Sequence, residues 1–314
     1  MNKFTKLFAK VSKNDIDIVG GKGVSLGEMS NAKIAVPKGF IILTEVFDNY
    51  LKKTNLTIHI NLIINKINYK DTNSIEKASI KLRGLINNFK FPNEIKKEIL
   101  TQFFKLNTKY VAIRSSATTE DLLNASWAGE LESYLNITEK NLFKNIKKCW
   151  SSLFTPRAVF YRFNKKLNKQ KISIAVIIQK MIQSKISGIC FTVNPITKNC
   201  DQIIIEAGYG LGEIIIEGKI TPDNYLVSKK SGGILNINIS QQEIMTTQCL
   251  KKGTKEIKVT KLKQSKQKLT DKQIITLAKL CCQIERHYKK PQDIEWAFED
   301  NKFYIVQSRP ITTL

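Results

Sequence analysis

From Ile172 onward the periodicity of the chain changes, and this switch constrains the fold more than any other feature. Ahead of it, apolar residues recur at three-and-four spacing in SLGEM, in LINNFKFPNEIKKEILTQFFKL and in NLFKNIKKCWSSLFTPRAVFYRF. That spacing predicts helices, with Pro92 separating two of them and Pro156 near a boundary. Behind it, ISIAVIIQKMI, SGICFTV and QIIIEAGYGLGE are β-branched runs divided by turn residues, which predicts strands of a sheet. VAIRSS at 111–116 and LESYLNI at 131–137 read as two further strands in the front part. LTDKQIITLAKLCCQIERHYKK reads as one amphipathic helix with Thr270 at its N-cap. The expectation is an α+β protein of two subdomains, 1–190 and 191–314, joined near residues 184–200.

The last segment, DIEWAFEDNKFYIVQS, reads as a hairpin. Alternation puts Ile294, Trp296 and Phe298 on one face, continued by Tyr304 and Val306. The other face carries Asp293, Glu295, Ala297, Phe303, Ile305, Gln307 and Arg309. Both sets keep their faces only across a loop with an odd number of residues, so a three-residue loop Glu299-Asp300-Asn301 is expected, with Asn301 in a left-handed conformation. Glu295, Gln307 and Arg309 then collect towards one end. A carboxylate, an amide oxygen and a guanidinium suit Mg²⁺ together with phosphate, and a surface salt bridge at a hairpin end is the plainer alternative.

Two other segments could hold phosphate. VGGKGVSLGEM, 19–29, fails the Walker A template, because no glycine stands five residues before Gly21. It also fails the dinucleotide fingerprint, because position 26 is leucine. What survives is a glycine-rich backbone, the ammonium of Lys22 and a helix N-terminus behind them. Taken alone, the segment favours a plain Gly-rich turn. VAIRSSATTED then supplies Arg114 at a strand end, where a guanidinium fork suits phosphate oxygens. The serines and threonines after it can cap a helix or bind phosphate. SWAGELES adds Gly129 in a loop of the kind that covers a ligand, and EAGYGLGE at 206–213 is a second Gly-rich turn.

The 314 residues carry a net charge of +24, which raises nucleic-acid binding as a function. Residues 251–290 hold 13 Lys/Arg against 3 Asp/Glu, so +10 of that charge sits in one piece. Most of that piece reads as a solvated, lysine-rich excursion without interleaved aromatics for stacking, so nucleic acid is not expected as a partner. No run approaches 18 uninterrupted apolar residues, which leaves no expected membrane span. The N-terminus is basic without an apolar core or cleavage site, so no signal peptide is expected. Six cysteines without metal-site spacing suggest reduced thiols in a cytosolic protein.

Taken in order, VGGKGVSLGEM, VPKGF, VAIRSSATTEDLLNASWAGELESYLNI, YGLGE, TPDNY, DIEW and IVQSRP resemble the nucleotide-binding domain of the phosphoenolpyruvate synthase (pyruvate, water dikinase) family. Pyruvate phosphate dikinase and the rifampicin phosphotransferases are its relatives. The resemblance runs from about residue 14 to the C-terminus and implies an ATP-grasp fold, in which two α+β subdomains hold Mg-ATP between them. By position it implies that Lys22, Arg114 and Arg309 contact the phosphates, with Gly129 in the lid and Ser133 nearby. The resemblance also places Gln179 on a strand similar to the adenine-side segment and implies that Glu295 and Gln307 hold Mg²⁺. It further implies phosphoryl transfer from ATP to a histidine on a swivelling domain and then to pyruvate. His59 and His287 lack that domain's sequence context, so a phosphohistidine domain and a pyruvate-binding domain are expected as partners. A non-catalytic ATP-binding module, or a drug as acceptor, are the alternatives.

Overall fold

The computed structural model describes residues 2–118, 121–122, 125–126, 132–167, 173–249 and 253–312. They form two compact units, one of residues 1–28 and 38–181, the other of residues 29–37 and 182–314. The compact division therefore falls at 181/182, ahead of the strand Ile186–Phe191, whereas the sequence places it at 190/191. The expected α+β character is present in both units.

The first unit contains β1 (Thr5–Leu7), α1 (Ile16–Asn31, whose last turn passes into the other unit), β2 (Gly39–Ile42) and α2 (Thr44–Lys53). There follow α3 (Leu56–Asn65), α4 (Thr72–Asn87), α5 (Asn93–Lys105) and β3 (Val111–Ala117). A two-residue ladder, β4 (Asp121–Leu122) with β5 (Ala125–Ser126), precedes β6 (Ser133–Ile137), α6 (Leu142–Ser151), α7 (Pro156–Asn164) and β7 (Ile174–Lys180). The sheet order is β1-β2-β7-β3-β6, with every neighbouring pair antiparallel. The switch of periodicity at Ile172 is thus not a domain boundary: β7 inserts between β2 and β3 and completes the first sheet.

Alternation along β7 decides what each face of that sheet does. Ile174, Val176 and Ile178 point into a core with Phe40, Ile42 and Ile113, where Trp150 is fully buried and packs on Phe47, Phe89 and Phe91 at 5.3, 5.4 and 5.2 Å. Emptying such a site to alanine costs about 3–5 kcal/mol. The helices start where the sequence signals them. Asp71 caps α4 by accepting from Asn73 N, and Thr155 Oγ1 accepts from Ala158 N ahead of Pro156 in the first turn of α7.

The second unit contains β8 (Ile186–Phe191), β9 (Gln202–Tyr209), α8 (Glu213–Ile216), β10 (Asp223–Ser228) and β11 (Ile234–Asn238). It continues with β12 (Ile244–Gln248), β13 (Thr254–Lys258), α9 (Lys261–Gln264), α10 (Asp271–Tyr288), β14 (Gln292–Glu299) and β15 (Lys302–Pro310). Its six-stranded sheet runs β11-β10-β9-β8-β14-β15, again antiparallel throughout. One face packs on α10, whose Ile274, Leu277, Cys281 and Ile284 are buried. Thr270 caps α10 as expected, and Gln273 returns a bond to it to complete a capping box.

The lysine-rich excursion is more structured than its composition suggests. β12 and β13 form a separate two-stranded ladder, and Lys268 is buried rather than solvated. Its ammonium lies 2.7 Å from Asp223 Oδ1, with both side chains 0% exposed, and 2.5 Å from Ser240 O. The Tyr225 hydroxyl, Ser240 N and Lys268 N also donate to Asp223, so the TPDNY aspartate anchors the excursion to the sheet.

Candidate functional site

The first group of candidates lies on one face of the first unit's sheet, opposite the aromatic core. Arg114 pairs directly with Ile177 on one side and Ser133 on the other, and Gln179 pairs with Ala112 and Gly39. Arg114, Ser133 and Gln179 therefore point the same way. Arg114 is 8% exposed and Ser133 is exposed. Arg114 stands in mid-strand, since β3 runs on to Ala117, and not at the strand end that the following polar residues suggest. Gln179 is 2% exposed, and its Nε2 has no hydrogen-bond partner among the described residues. Burying such a donor unmet costs about 1–3 kcal/mol, a cost that a ligand acceptor would remove.

The Gly-Gly-Lys segment reaches this group through Ser116. Gly20 interrupts α1 at φ 71°, ψ 171°, a region open essentially to glycine, and a Cβ there would lie 2.4 Å from Ser116 O and Oγ. Ser116 Oγ donates to Val19 O at 2.8 Å and accepts from Gly23 N at 3.1 Å, so one hydroxyl bridges the break and restarts the helix. Lys22 Nζ lies 3.5 Å from Ser115 O. The Gly23 amide is engaged by protein, so it is the ammonium rather than this N–H that the segment can offer an anion. Ser115 Oγ likewise binds the Glu132 carbonyl. These hydroxyls serve the backbone, neither capping a following helix nor lying open. Gly129 lies outside the described residues.

The second group lies on the second unit's sheet. The terminal hairpin turns through two residues, Asp300 and Asn301, both left-handed at φ 48° and 57°, which is the primed turn that matches strand twist. The expected three-residue loop is therefore absent, and the return strand changes face. Phe303 pairs with Phe298 and Ile305 with Trp296, so both enter the core, while Tyr304 moves to the polar side opposite Ala297. A bulge between Glu295 and Trp296, with Val306 as the extra residue, then restores the register. Beyond it Glu295 faces Gln307 and Asp293 faces Arg309. Asp293, Glu295, Gln307 and Arg309 thus share one face, as alternation predicts, through two departures that cancel, whereas Phe303 and Ile305 leave it for the core.

Arg309 donates from Nε and Nη2 to Asp293 Oδ2 at 2.8 and 2.6 Å. Across β8, Glu206 pairs with the same Ile189 that pairs with Glu295, so Glu206, Glu295 and Gln307 lie in one row. Burial pushes the Glu206 carboxyl above the usual range, and the charge of Asp293 adds to it. Asp293 is raised as well, first by burial, while Arg309 opposes that shift. Sequence reasoning places Asp293 on this face without giving it a role and passes over Glu206. The signal for Asp293 is its spacing of two from Glu295, and for Glu206 the lone acid ending QIIIE. Among the described residues no cluster of three or more His, Cys, Asp or Glu could hold a metal ion by itself. A divalent cation held by Glu295 and Gln307 would complete its shell from phosphate and water, which is how Mg²⁺ is ordinarily bound.

With this geometry in place, comparison with known proteins defines the class. The family model described as pyruvate phosphate dikinase, AMP/ATP-binding domain, matches residues 16–314, and the chain belongs to this family. Over 99% of its length it is 42% identical to a probable phosphoenolpyruvate synthase of Methanocaldococcus jannaschii, of which it covers 27%. It is 38% identical, over 99% of the chain and 44% of the relative, to the phosphoenolpyruvate synthase of Pyrococcus furiosus. A rifampicin phosphotransferase of Bacillus cereus is 39% identical over 100% of the chain and 36% of the relative. The chain thus spans less than half the length of these curated relatives. No helix among the described residues is long and apolar enough to cross a membrane.

Proposed function

We propose that the chain is an ATP-grasp nucleotide domain of a phosphoenolpyruvate synthase-like phosphotransferase. In the overall reaction ATP, pyruvate and water give AMP, phosphoenolpyruvate and phosphate. This chain binds ATP and donates phosphoryl to a histidine on a separate domain or chain, from which it passes to pyruvate. Lys22, Arg114 and Arg309 contact the phosphates and neutralise their charge. Gly129 covers the ligand, Ser133 lies beside Arg114, and the unmet Gln179 Nε2 donates to a nitrogen or oxygen of the nucleoside. Glu295 and Gln307 hold Mg²⁺, which when bound screens charge on the phosphate oxygens. Asp293 fixes the Arg309 fork by taking two of its five N–H groups.

The observation that carries this reading is the pair of rungs in the terminal hairpin, Glu295 opposite Gln307 and Asp293 opposite Arg309, on one sheet face. Together they offer cation ligands beside an oriented guanidinium. The rifampicin phosphotransferases among the relatives favour a second reading for the acceptor alone, a drug in place of pyruvate, with the nucleotide chemistry unchanged.

Calorimetric titration of Mg-ATP into the purified chain tests the site. Lys22→Ala and Arg309→Ala are each expected to weaken binding by about 1–3 kcal/mol, the scale of a charged hydrogen bond left unmade. Binding that neither substitution changes would sink the assignment.

A further inference from the structure

The second Gly-rich turn, Gly208–Gly212, is fixed more thoroughly than a connection requires. Tyr209 N donates to Gln242 Oε1 at 2.8 Å, and Gln242 Nε2 donates back to Tyr209 O at 3.0 Å and to Ile244 O at 2.9 Å. The fully buried Gln242 side chain thus pairs with both backbone groups of Tyr209, as a neighbouring strand would. Gly210 N donates to Lys185 O at 3.0 Å, and Gly210 O accepts from Ser184 Oγ and Ser187 Oγ at 2.9 and 2.7 Å. Leu211 N donates to Thr246 O at 2.8 Å. Gly210 adopts φ 90°, and a Cβ on it would lie 2.4 Å from Thr246 O.

The turn stands at the end of the carboxylate face. Gly208 is two residues beyond Glu206 on β9 and so shares its face, pairing with Ser187 next to Ala297. Where its side chain would go stand Ile220, Ile215 and Gln242, at 2.9, 3.1 and 3.3 Å from an ideal Cβ. The segment between Ser240 and Lys268, which supplies Gln242 and Thr246, is itself anchored at both ends to Asp223. Gln242 therefore holds a wall at the end of the row of Glu206, Glu295 and Gln307. Charges attract more strongly where water is kept out, so a wall at this place strengthens whatever the row binds.

We infer that Gln242 is a positioning residue for the nucleotide site, locking the 208–212 turn against the end of the face that carries Glu295 and Gln307. The inference rests on the nucleotide reading above. The experiment compares the full chain with Gln242→Leu, which removes all three bonds, and with Gln242→Glu, which keeps only the acceptor for Tyr209 N. Ile284→Val, a distant change in the core of α10, lowers stability without touching the turn. Mg-ATP affinity is measured by calorimetry well below every melting temperature, and amide exchange is read at Tyr209, Gly210 and Leu211.

Gln242→Leu is expected to weaken Mg-ATP by about three- to tenfold, the scale of one neutral hydrogen bond, and to lose protection at the three amides. Gln242→Glu falls between, and Ile284→Val leaves both readouts unchanged. Should Gln242→Leu fail to fold, Gly210→Ala displaces the same turn from its other side, with the same expected loss of affinity. Equal affinity in the turn variants while the wild type binds would overturn the inference and leave the nucleotide reading standing. Retained protection at the three amides would overturn the clamp itself. A wild type that binds no Mg-ATP would remove the nucleotide reading, and this positioning role with it.

Discussion

Replacing Lys268 with methionine keeps the length of the side chain and deletes its charge at the point where the excursion is anchored. Asp223, 0% exposed in its side chain, then loses the ammonium 2.7 Å from Oδ1 and retains three neutral donors, the Tyr225 hydroxyl, Ser240 N and Lys268 N. Breaking a buried pair from one side costs about 3–5 kcal/mol, because a charge is left behind without its partner. The three remaining donors place the expected loss near the lower end, about 3 kcal/mol. In a unit of roughly 150 residues that corresponds to a fall of about 6–12 °C in the melting temperature of the second unit. Removing both charges with Asp223→Asn and Lys268→Met should recover part of that loss, since no charge is then left buried, although the new side-chain NH2 meets a backbone donor where a carboxylate oxygen accepted one. Urea unfolding followed by the fluorescence of Trp296, buried in the second unit, reads the difference. A single variant that loses less than about 1 kcal/mol, or a double variant no better than the single, would refute the assignment of Asp223 and Lys268 as a mutually dependent anchor.

Two further outcomes are expected. The Glu206 carboxyl is held above its usual range by burial and by Asp293, so its ionisation opposes folding. Its contribution is complete below the usual glutamate range and is lost as pH rises through the raised value. Glu206→Gln should therefore raise the melting temperature at neutral pH, with the gain vanishing on acidification below about pH 4; a gain independent of pH would contradict this account. Gly20→Ala forces a Cβ against Ser116 at a backbone conformation that costs about 1–3 kcal/mol, before the clash is counted. It should destabilise the first unit in urea and weaken Mg-ATP through the displaced Lys22, and unchanged values of both would show that the break in α1 is not rigid.

The strands and helices with strong periodicity are legible in the sequence, and the residues that depart from expectation do so for local reasons. Parity asks for a Glu299-Asp300-Asn301 loop, but Asp300 joins Asn301 in the left-handed region, and the resulting shift is undone at Val306. A bulge leaves no mark on a run of alternating residues, so its place cannot be read. Arg114 reads as a strand end because Ser115, Ser116 and Thr118 follow it. Those hydroxyls bind backbone carbonyls instead, which lets the strand continue through polar residues. The strands β10 to β13 are short, and Asn, Thr and Lys interrupt their apolar residues, so no clean alternation marks them. The Asp223–Lys268 pair spans 45 residues, a separation over which sequence alone shows only two ordinary charges.

Ile305 of the returning hairpin strand donates its N–H to the carbonyl of Ala35, and residues 29–37 belong to the second unit although the chain around them belongs to the first. The outer edge of β15 is thus met by a segment synthesised well before it. During translation that segment waits, without its partner for this bond, until residue 305 has emerged. A fragment cut between the two units, beginning at residue 182, would expose at Ile305 a strand edge that the intact chain covers. Dissecting this protein into separately expressed halves is therefore better done by carrying residues 29–37 along with the second half, fused or supplied as a peptide.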